Sequence, residues 1–348
     1  MQFRQLGDSN IQVSVLCLGT MTWGQQNTEK DAHEQLDCAI DAGINFIDCA
    51  EMYPVPPRAE TQGLSETFIG SWLGKRKTQR DKLIIATKVA ARADWIPYLR
   101  NGNARLDKDN INTAVNESLR RLDCDYIDLY QVHWPERDAN YFGQLNYYHA
   151  PEKDGTPIAE TMSALSDLVK EGKIRHIGIS NETPWGMSEY LRQSTAGSAP
   201  RIVSIQNPYS LLNRSFEIGL AEMSHRENAG LLAYSPLGFG TLTGKYLHNK
   251  MPENSRLSMF GERYNRYSKE QGVRATEKYV QLALDSNIDP THMALAFVNS
   301  RPFLTSTILG ATTMQQLRHN IKSIDVELDK EILREIEKIN AEVPLPCP

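Results

Sequence analysis

Asp48, Lys88 and His133 are polar residues that close or directly follow short apolar runs. Asp48 ends Ile44-Asn45-Phe46-Ile47-Asp48, Lys88 ends Leu83-Ile84-Ile85-Ala86-Thr87-Lys88, and His133 follows Leu129-Tyr130-Gln131-Val132, while Tyr53 lies a short step beyond Asp48. An unpaired charge at the end of a buried strand is costly, so the aspartate and the lysine should pair. A phenol with a free pKa of about 10 gives up a proton more readily beside a cation such as Lys88, which favours the phenolate. His133 can donate to an oxygen on which charge develops. Singly, each residue also fits a plain structural role, an ion pair or a satisfied core histidine. Together they form an acid-delivery device, and a reaction that needs one is carbonyl reduction, with hydride going to carbon and a proton to oxygen.

The elements that would position these residues alternate along the chain. Eight apolar runs are short enough for strands buried on both faces: Val15–Leu18, Ile44–Ile47, Leu83–Ala86, Ile127–Val132, Ile174–Ile179, Ile202–Ile205, Leu231–Ala233 and Thr305–Leu309. Between them, Asp31–Ala42, Leu64–Leu73, Asn110–Leu122 and Ile158–Glu171 repeat apolar residues at three and four, the period of crossover helices. Repeated βα units of this kind predict an α/β fold, a (β/α)8 barrel. Thr183-Pro184 and Asp289-Pro290 each place a capping side chain before a proline, and Thr313-x-x-Gln316 has capping-box spacing. Phe3–Val13, turning at Gly7-Asp8-Ser9-Asn10, predicts an N-terminal hairpin able to plug the barrel bottom. Asp329–Ala341 predicts one helix beyond the eight-fold count. The long connections Pro54–Gly63, Ala90–Lys108, Pro135–Pro157 and Gly238–Lys269 all follow strand C-termini, the face on which barrel loops carry function. No linker divides the chain, so residues 1–348 are expected to form one domain.

Composition narrows the functional classes. With 348 residues, 40% hydrophobic and 23% charged, the chain matches soluble globular proteins. No apolar run is long enough for a membrane helix, and Met1-Gln2-Phe3-Arg4 opens no signal-like stretch, so a cytosolic location is expected. A net charge of −5 offers no broad basic field for nucleic acid, and the basic run Lys75–Lys82 reads as a solvated loop. Five scattered cysteines, without a Cys-x-x-Cys pair, read as free thiols, and Cys49 as packing. A metal-dependent or glycosidase barrel would need a His-x-His pair or two carboxylates closing strands. The sequence has no His-x-His, and Asp48 alone closes a strand.

The chain resembles the aldo-keto reductase family from Phe3 to about Asn340. The matching segments are Leu18-Gly19-Thr20-Met21, Gly43–Asp48 with Ala50-Glu51-Met52-Tyr53, Ala86-Thr87-Lys88, and Ser118–Leu122 running into Asp125–Leu129. Further matches are Gly172–Arg175, Gly178-Ile179-Ser180-Asn181, Gln206-Asn207-Pro208-Tyr209 and Tyr234-Ser235-Pro236-Leu237. Tyr53–Pro57 and Gln206–Glu222 are most similar to bacterial members. The resemblance implies that Tyr53 is the proton donor, tuned by Lys88 and Asp48, and that His133 positions a small carbonyl substrate.

It also implies a cofactor, NADPH (NADP+). Ser180, Asn181 and Gln206 would bind the nicotinamide carboxamide, with Tyr234 stacked on the ring and Thr20, Met21 and Asp48 beside them. Ser235, Pro236, Leu237, Gly238 and Lys245 would form the pyrophosphate loop. Arg256, Gly310, Thr312, Gln316 and Asn320 would surround the adenosine and its 2′-phosphate, since arginine and helix N-terminal N–H groups suit a phosphate ester. His319 departs from the acidic residue common in relatives. Gly238-x-Gly240-x-x-x-Gly244 is one residue too long for a Rossmann fingerprint and follows the seventh strand; it is expected to lend the loop flexibility. Of the aromatic residues in the face loops (Trp23, Trp95, Tyr98, Trp134, Tyr141, Phe142, Tyr147 and Tyr148), Trp23 and Trp134 adjoin strand ends and are the two expected to contact substrate. Potassium-channel β-subunits share this fold and bind NADPH, so a cofactor-sensing subunit is the alternative function. Nothing in the sequence specifies the physiological substrate or the oligomeric state.

Overall fold

The computed structural model describes residues 1–195 and 199–348. Strands β1 (Phe3–Gln5) and β2 (Gln12–Ser14) form the N-terminal antiparallel hairpin. Eight parallel strands then close a barrel: β3 (Leu16–Gly19), β4 (Phe46–Asp48), β5 (Ile84–Val89), β6 (Ile127–Val132), β7 (Ile174–Ser180), β8 (Ile202–Pro208), β9 (Gly230–Tyr234) and β10 (Leu304–Leu309). They pair in chain order, and β10 returns to β3. Leu6 and Val13 of the hairpin pack against Cys17, Phe46, Ile84, Leu129, Val203 and Leu232 of the strands. The hairpin therefore closes the N-terminal end of the barrel with apolar side chains.

Helices α1 (Glu29–Asp41), α2 (Leu64–Gly74), α3 (Lys108–Leu122), α4 (Ile158–Lys170), α5 (Pro184–Thr195) and α6 (Leu220–Arg226) follow the first six barrel strands in turn. Between β9 and β10 lie α7 (Arg256–Phe260), α8 (Glu270–Asp285) and α9 (Pro290–Asn299), and after β10 come α10 (Met314–Ile321) and α11 (Lys330–Glu342). The sequence pattern predicted one supernumerary helix, α11. The structure adds α8, fastened to α11 by Arg274 and Lys278 on Glu342 at 2.8 and 3.0 Å.

Local chemistry explains where the elements begin. Helix α1 starts earlier than its apolar period suggested because Thr28 accepts from the Asp31 N–H while Asp31 accepts from the Thr28 N–H, a reciprocal capping box. Strand β4 starts later, because the Asn45 amide bonds the hairpin backbone at Ser14 N (2.8 Å) and Gln12 O (2.9 Å). Asp289 caps α9 as expected. At α10, Thr313 caps through the Gln316 N–H, but the Gln316 side chain accepts from Thr312 N at 2.9 Å rather than from Thr313, so the box is shifted by one residue. Part of the basic run differs from a solvated loop: Arg80 pairs with the buried Asp128 at 2.7 Å and Arg76 with Asp37 at 2.8 Å. The side chains of Lys77 and Thr78 lie outside the described ones. All five cysteines are free, and the described residues contain no helix long and apolar enough to cross a membrane.

Candidate active site

Parallel pairing in register carries Asp48, Lys88 and His133 to one rim of the barrel. Asp48 is opposite Ala86, Lys88 is opposite Gln131, and His133 follows β6 with its N–H bonded to Val89 O at 2.9 Å. Tyr53 is held on the loop after β4, its N–H donating to Ala50 O and its carbonyl accepting from Gly63 N. The four side chains converge. Lys88 Nζ donates to Asp48 Oδ2 at 2.7 Å, to Cys49 O at 2.7 Å and to Tyr53 Oη at 3.4 Å. The Tyr53 and His133 rings meet edge to face with centroids 5.7 Å apart.

Electrostatics at this rim reflect burial. Lys88 is fully enclosed, which disfavours its charge, but the attraction of Asp48 and Tyr53 prevails and raises its pKa above the lysine value. Tyr53 differs from the expectation that Lys88 would lower its pKa. Burial raises it, and the pull of Lys88 opposes that rise without reversing it. The phenol is therefore protonated at rest. Burial, with Lys88 nearby, holds the His133 pKa well below the usual histidine value, so its imidazole is neutral at pH 7. The Nδ1 of His133 is buried without a protein partner.

Asp48 is fixed from the barrel interior. Its Oδ1 accepts from Gln206 Nε2 at 2.8 Å and from Gln131 Nε2 at 3.2 Å. Thr20 donates through its hydroxyl and its N–H to Asp48 O, and Ser65 donates to Thr20. Sequence reasoning missed Gln131, which sits inside an otherwise ordinary strand. It also missed Glu51, which is fully buried, accepts from Ala90 N at 2.7 Å and pairs with Arg100 at 2.7 Å. That pair ties the Tyr53 loop to the loop after β5, and its partners are too distant in sequence to show a spacing.

Several of the residues expected around a cofactor are linked to one another and to this centre. Asn181 Nδ2 donates to His133 O at 2.9 Å and to Ser180 Oγ at 3.1 Å, Tyr234 Oη donates to Asn181 Oδ1 at 2.6 Å, and Ser180 Oγ donates to Gln206 O at 2.8 Å. Met21 O holds Val55 N at 2.9 Å on the Tyr53 loop. Gly240, at φ +87°, leaves room for Lys245, whose Nζ would lie 2.9 Å from an added Cβ. Among the described residues no carboxylate lies within 4.0 Å of Lys245 or Arg256; their cations rest on rings instead, Lys245 on Tyr246 and Arg256 on Phe239 and Tyr264. Burial without a carboxylate lowers the Arg256 pKa. Gly310 faces open space, and around it Asn320 Nδ2 donates to Gly310 O at 3.3 Å while Gln316 holds Thr312. Ser235, Pro236, Leu237 and Gly238 turn from β9 toward Lys245, with Ser235 and Gly238 both at positive φ.

The expected substrate contact Trp23 is engaged elsewhere, and so is His319, the residue that departs from the relatives. Trp23 is fully buried and donates to Gln35 Oε1 at 3.0 Å, so it presents no face to the barrel mouth. His319 pairs with Asp289 at 3.0 Å and stacks on His292 at 4.3 Å. These three side chains bring metal-type ligand atoms within 4.8 Å of one another, yet His292 already bonds His319 O and Asp289 already caps α9. Trp134, by contrast, packs directly on His133, with centroids 4.8 Å apart, and on Trp95 and Phe142.

Comparison with known proteins gives the family. The aldo/keto reductase family profile matches residues 15–341. The chain is 51% identical over its full length to Protein tas of Escherichia coli, also covered in full. It is 32% identical over 339 residues to the uncharacterized oxidoreductase YrpG of Bacillus subtilis, covering 97% of this chain and 96% of that one. It is 29% identical over 355 residues to a probable voltage-gated potassium channel subunit beta of Arabidopsis thaliana, with the same shares covered. An eight-stranded parallel barrel matched by this profile over nearly its whole length is a member of the aldo/keto reductase family, an oxidoreductase.

Proposed function

We propose that the protein is an NADPH-dependent reductase that converts an aldehyde or ketone to the alcohol, with Tyr53 as proton donor. The observation that carries this reading is the single ammonium of Lys88 bridging Asp48 and the Tyr53 hydroxyl at the barrel mouth. A bound NADPH supplies the hydride. The residues present suit it: among the described residues Lys245 and Arg256 have no carboxylate within 4.0 Å, and Ser180, Asn181 and Gln206 form a polar edge beside Tyr234. The Nε2 of Gln206 is engaged with Asp48, which leaves Oε1 to accept from a carboxamide.

The protein's own steps follow from charge. Tyr53 holds its proton until the carbonyl oxygen becomes negative, and Lys88 then favours the phenolate left behind. Neutral His133 orients the carbonyl oxygen through a ring N–H, and Trp134 walls that side. The substrate is a small carbonyl compound, the setting aqueous and cytosolic, with no nucleic-acid partner. Similarity to a potassium channel β-subunit favours a second reading, a cofactor-binding regulatory subunit with little turnover. NADPH and NADH consumption across a panel of aldehydes, beginning with 4-nitrobenzaldehyde, separates the two. The reductase reading requires steady turnover with NADPH preferred, and NADPH binding without turnover on any aldehyde supports the subunit.

A further inference from the structure

We propose that Gln131 is a positioning residue for proton delivery, holding Asp48 against Lys88 from inside the barrel. This rests on Tyr53 being the proton donor. Gln131 is fully buried on β6, opposite Lys88 on β5. Its Nε2 donates to Asp48 Oδ1 at 3.2 Å while its Oε1 accepts from Gln206 Nε2 at 3.2 Å. Gln206 in turn donates to the same Asp48 oxygen at 2.8 Å. Two amides and one carboxylate thus close a ring of hydrogen bonds in which both donors converge on Oδ1 and leave Oδ2 to Lys88. Gln131 does this with one side chain, because an amide can donate to Asp48 and accept from Gln206 together, and it carries no charge in doing so.

The neighbouring backbone has been cleared for this side chain. A Cβ on Gly178 of β7 would lie 3.1 Å from Gln131 Cγ and 2.8 Å from Ser204 Oγ. A larger residue at Gly178 would push Gln131 off its line toward Asp48. In most barrel interiors this layer is filled by branched apolar side chains. Here polar groups occupy it, each useful only if satisfied. The charged and titratable groups around the ring are Asp48 from β4, Lys88 from β5, Tyr53 from the loop above, and the thiols of Cys17 and Cys49.

Two variants distinguish positioning from packing. Gln131→Met keeps the volume and removes both hydrogen bonds. It should lower kcat about 10- to 100-fold, the value of a lost hydrogen bond to a charged group, while KM for 4-nitrobenzaldehyde and Kd for NADPH change less than about threefold. Gln131→Glu can replace the amide only while the introduced carboxyl is protonated, donating to Asp48 and accepting from Gln206. A carboxyl beside Asp48 has a raised pKa. Its kcat should therefore approach the parent value near pH about 6 and fall through an added ionisation before the parent's alkaline limb. Parent kcat in Gln131→Met, or both variants falling alike at every pH in step with a lowered Tm, overturns the proposal. Absence of carbonyl reduction in the parent would instead refute the functional reading. Crystal structures then test the placement alone: Asp48 leaving Lys88 in Gln131→Met supports it, and retention of the 2.7 Å contact refutes it.

Discussion

Tyr53 and His133 are both neutral in the resting protein, for one physical reason. Burial penalises the charged form of each, raising the pKa of the phenol and lowering that of the imidazole. For His133 this links catalysis to stability. Its folded pKa lies below the unfolded value of 6.5, so the unfolded chain binds more protons in the window between them. Stability is complete above pH 6.5 and is lost as pH falls through that window, at up to about 1.4 kcal/mol per pH unit for one proton. Gln at position 133 cannot titrate. Denaturant unfolding of His133→Gln between pH 6.5 and 4.5 should show a shallower acid-side loss than the parent; parallel curves would mean that His133 is not held neutral by the fold. Asp48, Lys88 and His133 stood out in the sequence because each closes or directly follows an apolar run where a polar residue needs a reason, and Tyr53 because it lies a short step beyond Asp48. Gln131 was not, since a single amide inside a strand carries no local signature. The net direction of the Tyr53 shift was also hidden, because it depends on how deeply the ring is enclosed.

At the level of elements, the segment after β9 joins the barrel to the expected phosphate site. Leu237–Lys245 turns through Phe239 and Gly240, both at positive φ, and Gly240, Leu242 and Gly244 bond to carbonyls within the segment itself, Gly240 to Leu237 at 3.0 Å, Leu242 to Leu237 at 3.2 Å and Gly244 to Thr241 at 2.9 Å. A segment of this kind opens easily unless a ligand covers it. Hydrogen exchange over Leu237–Lys245 should slow on NADPH addition, and unchanged exchange would place the pyrophosphate elsewhere. Farther along, Arg256 begins α7 with its guanidinium over the Phe239 and Tyr264 rings. Arg256→Ala should weaken NADPH binding more than NADH binding, by about tenfold or more if the 2′-phosphate is held by charge-assisted bonds. Equal weakening of both would show that the phosphate is read by other residues. Strand and helix periods predicted most of these elements, yet α7 lay in the Gly238–Lys269 connection that read as loop, and α8 was not assigned. Helix α7 is a single short turn, too brief to show an apolar period although Ser255 caps it, and α8 starts without a side-chain cap.

Across the whole molecule, closure explains why residues far apart in sequence act together. Eight strands in register place Asp48, Lys88, His133, Ser180, Gln206 and Tyr234 at or just beyond the C-terminal ends of successive strands from β4 to β9. The hairpin seals the opposite end with Leu6 and Val13, so polar groups collect at one mouth. Alternating periods predicted this architecture, because buried parallel strands must be covered by helices. Partners on neighbouring loops, such as Glu51 with Arg100, remained invisible, since only the folded rim sets their separation. Proton donation by Tyr53, with the rest of the barrel holding cofactor and substrate, is the core of the proposed reaction. It is tested most directly by NADPH consumption with 4-nitrobenzaldehyde in the parent and in Tyr53→Phe, alongside NADPH binding by fluorescence. The account predicts steady turnover in the parent and, in the variant, turnover lost by at least about 100-fold with NADPH affinity little changed. Equal turnover rates in the two proteins would contradict it.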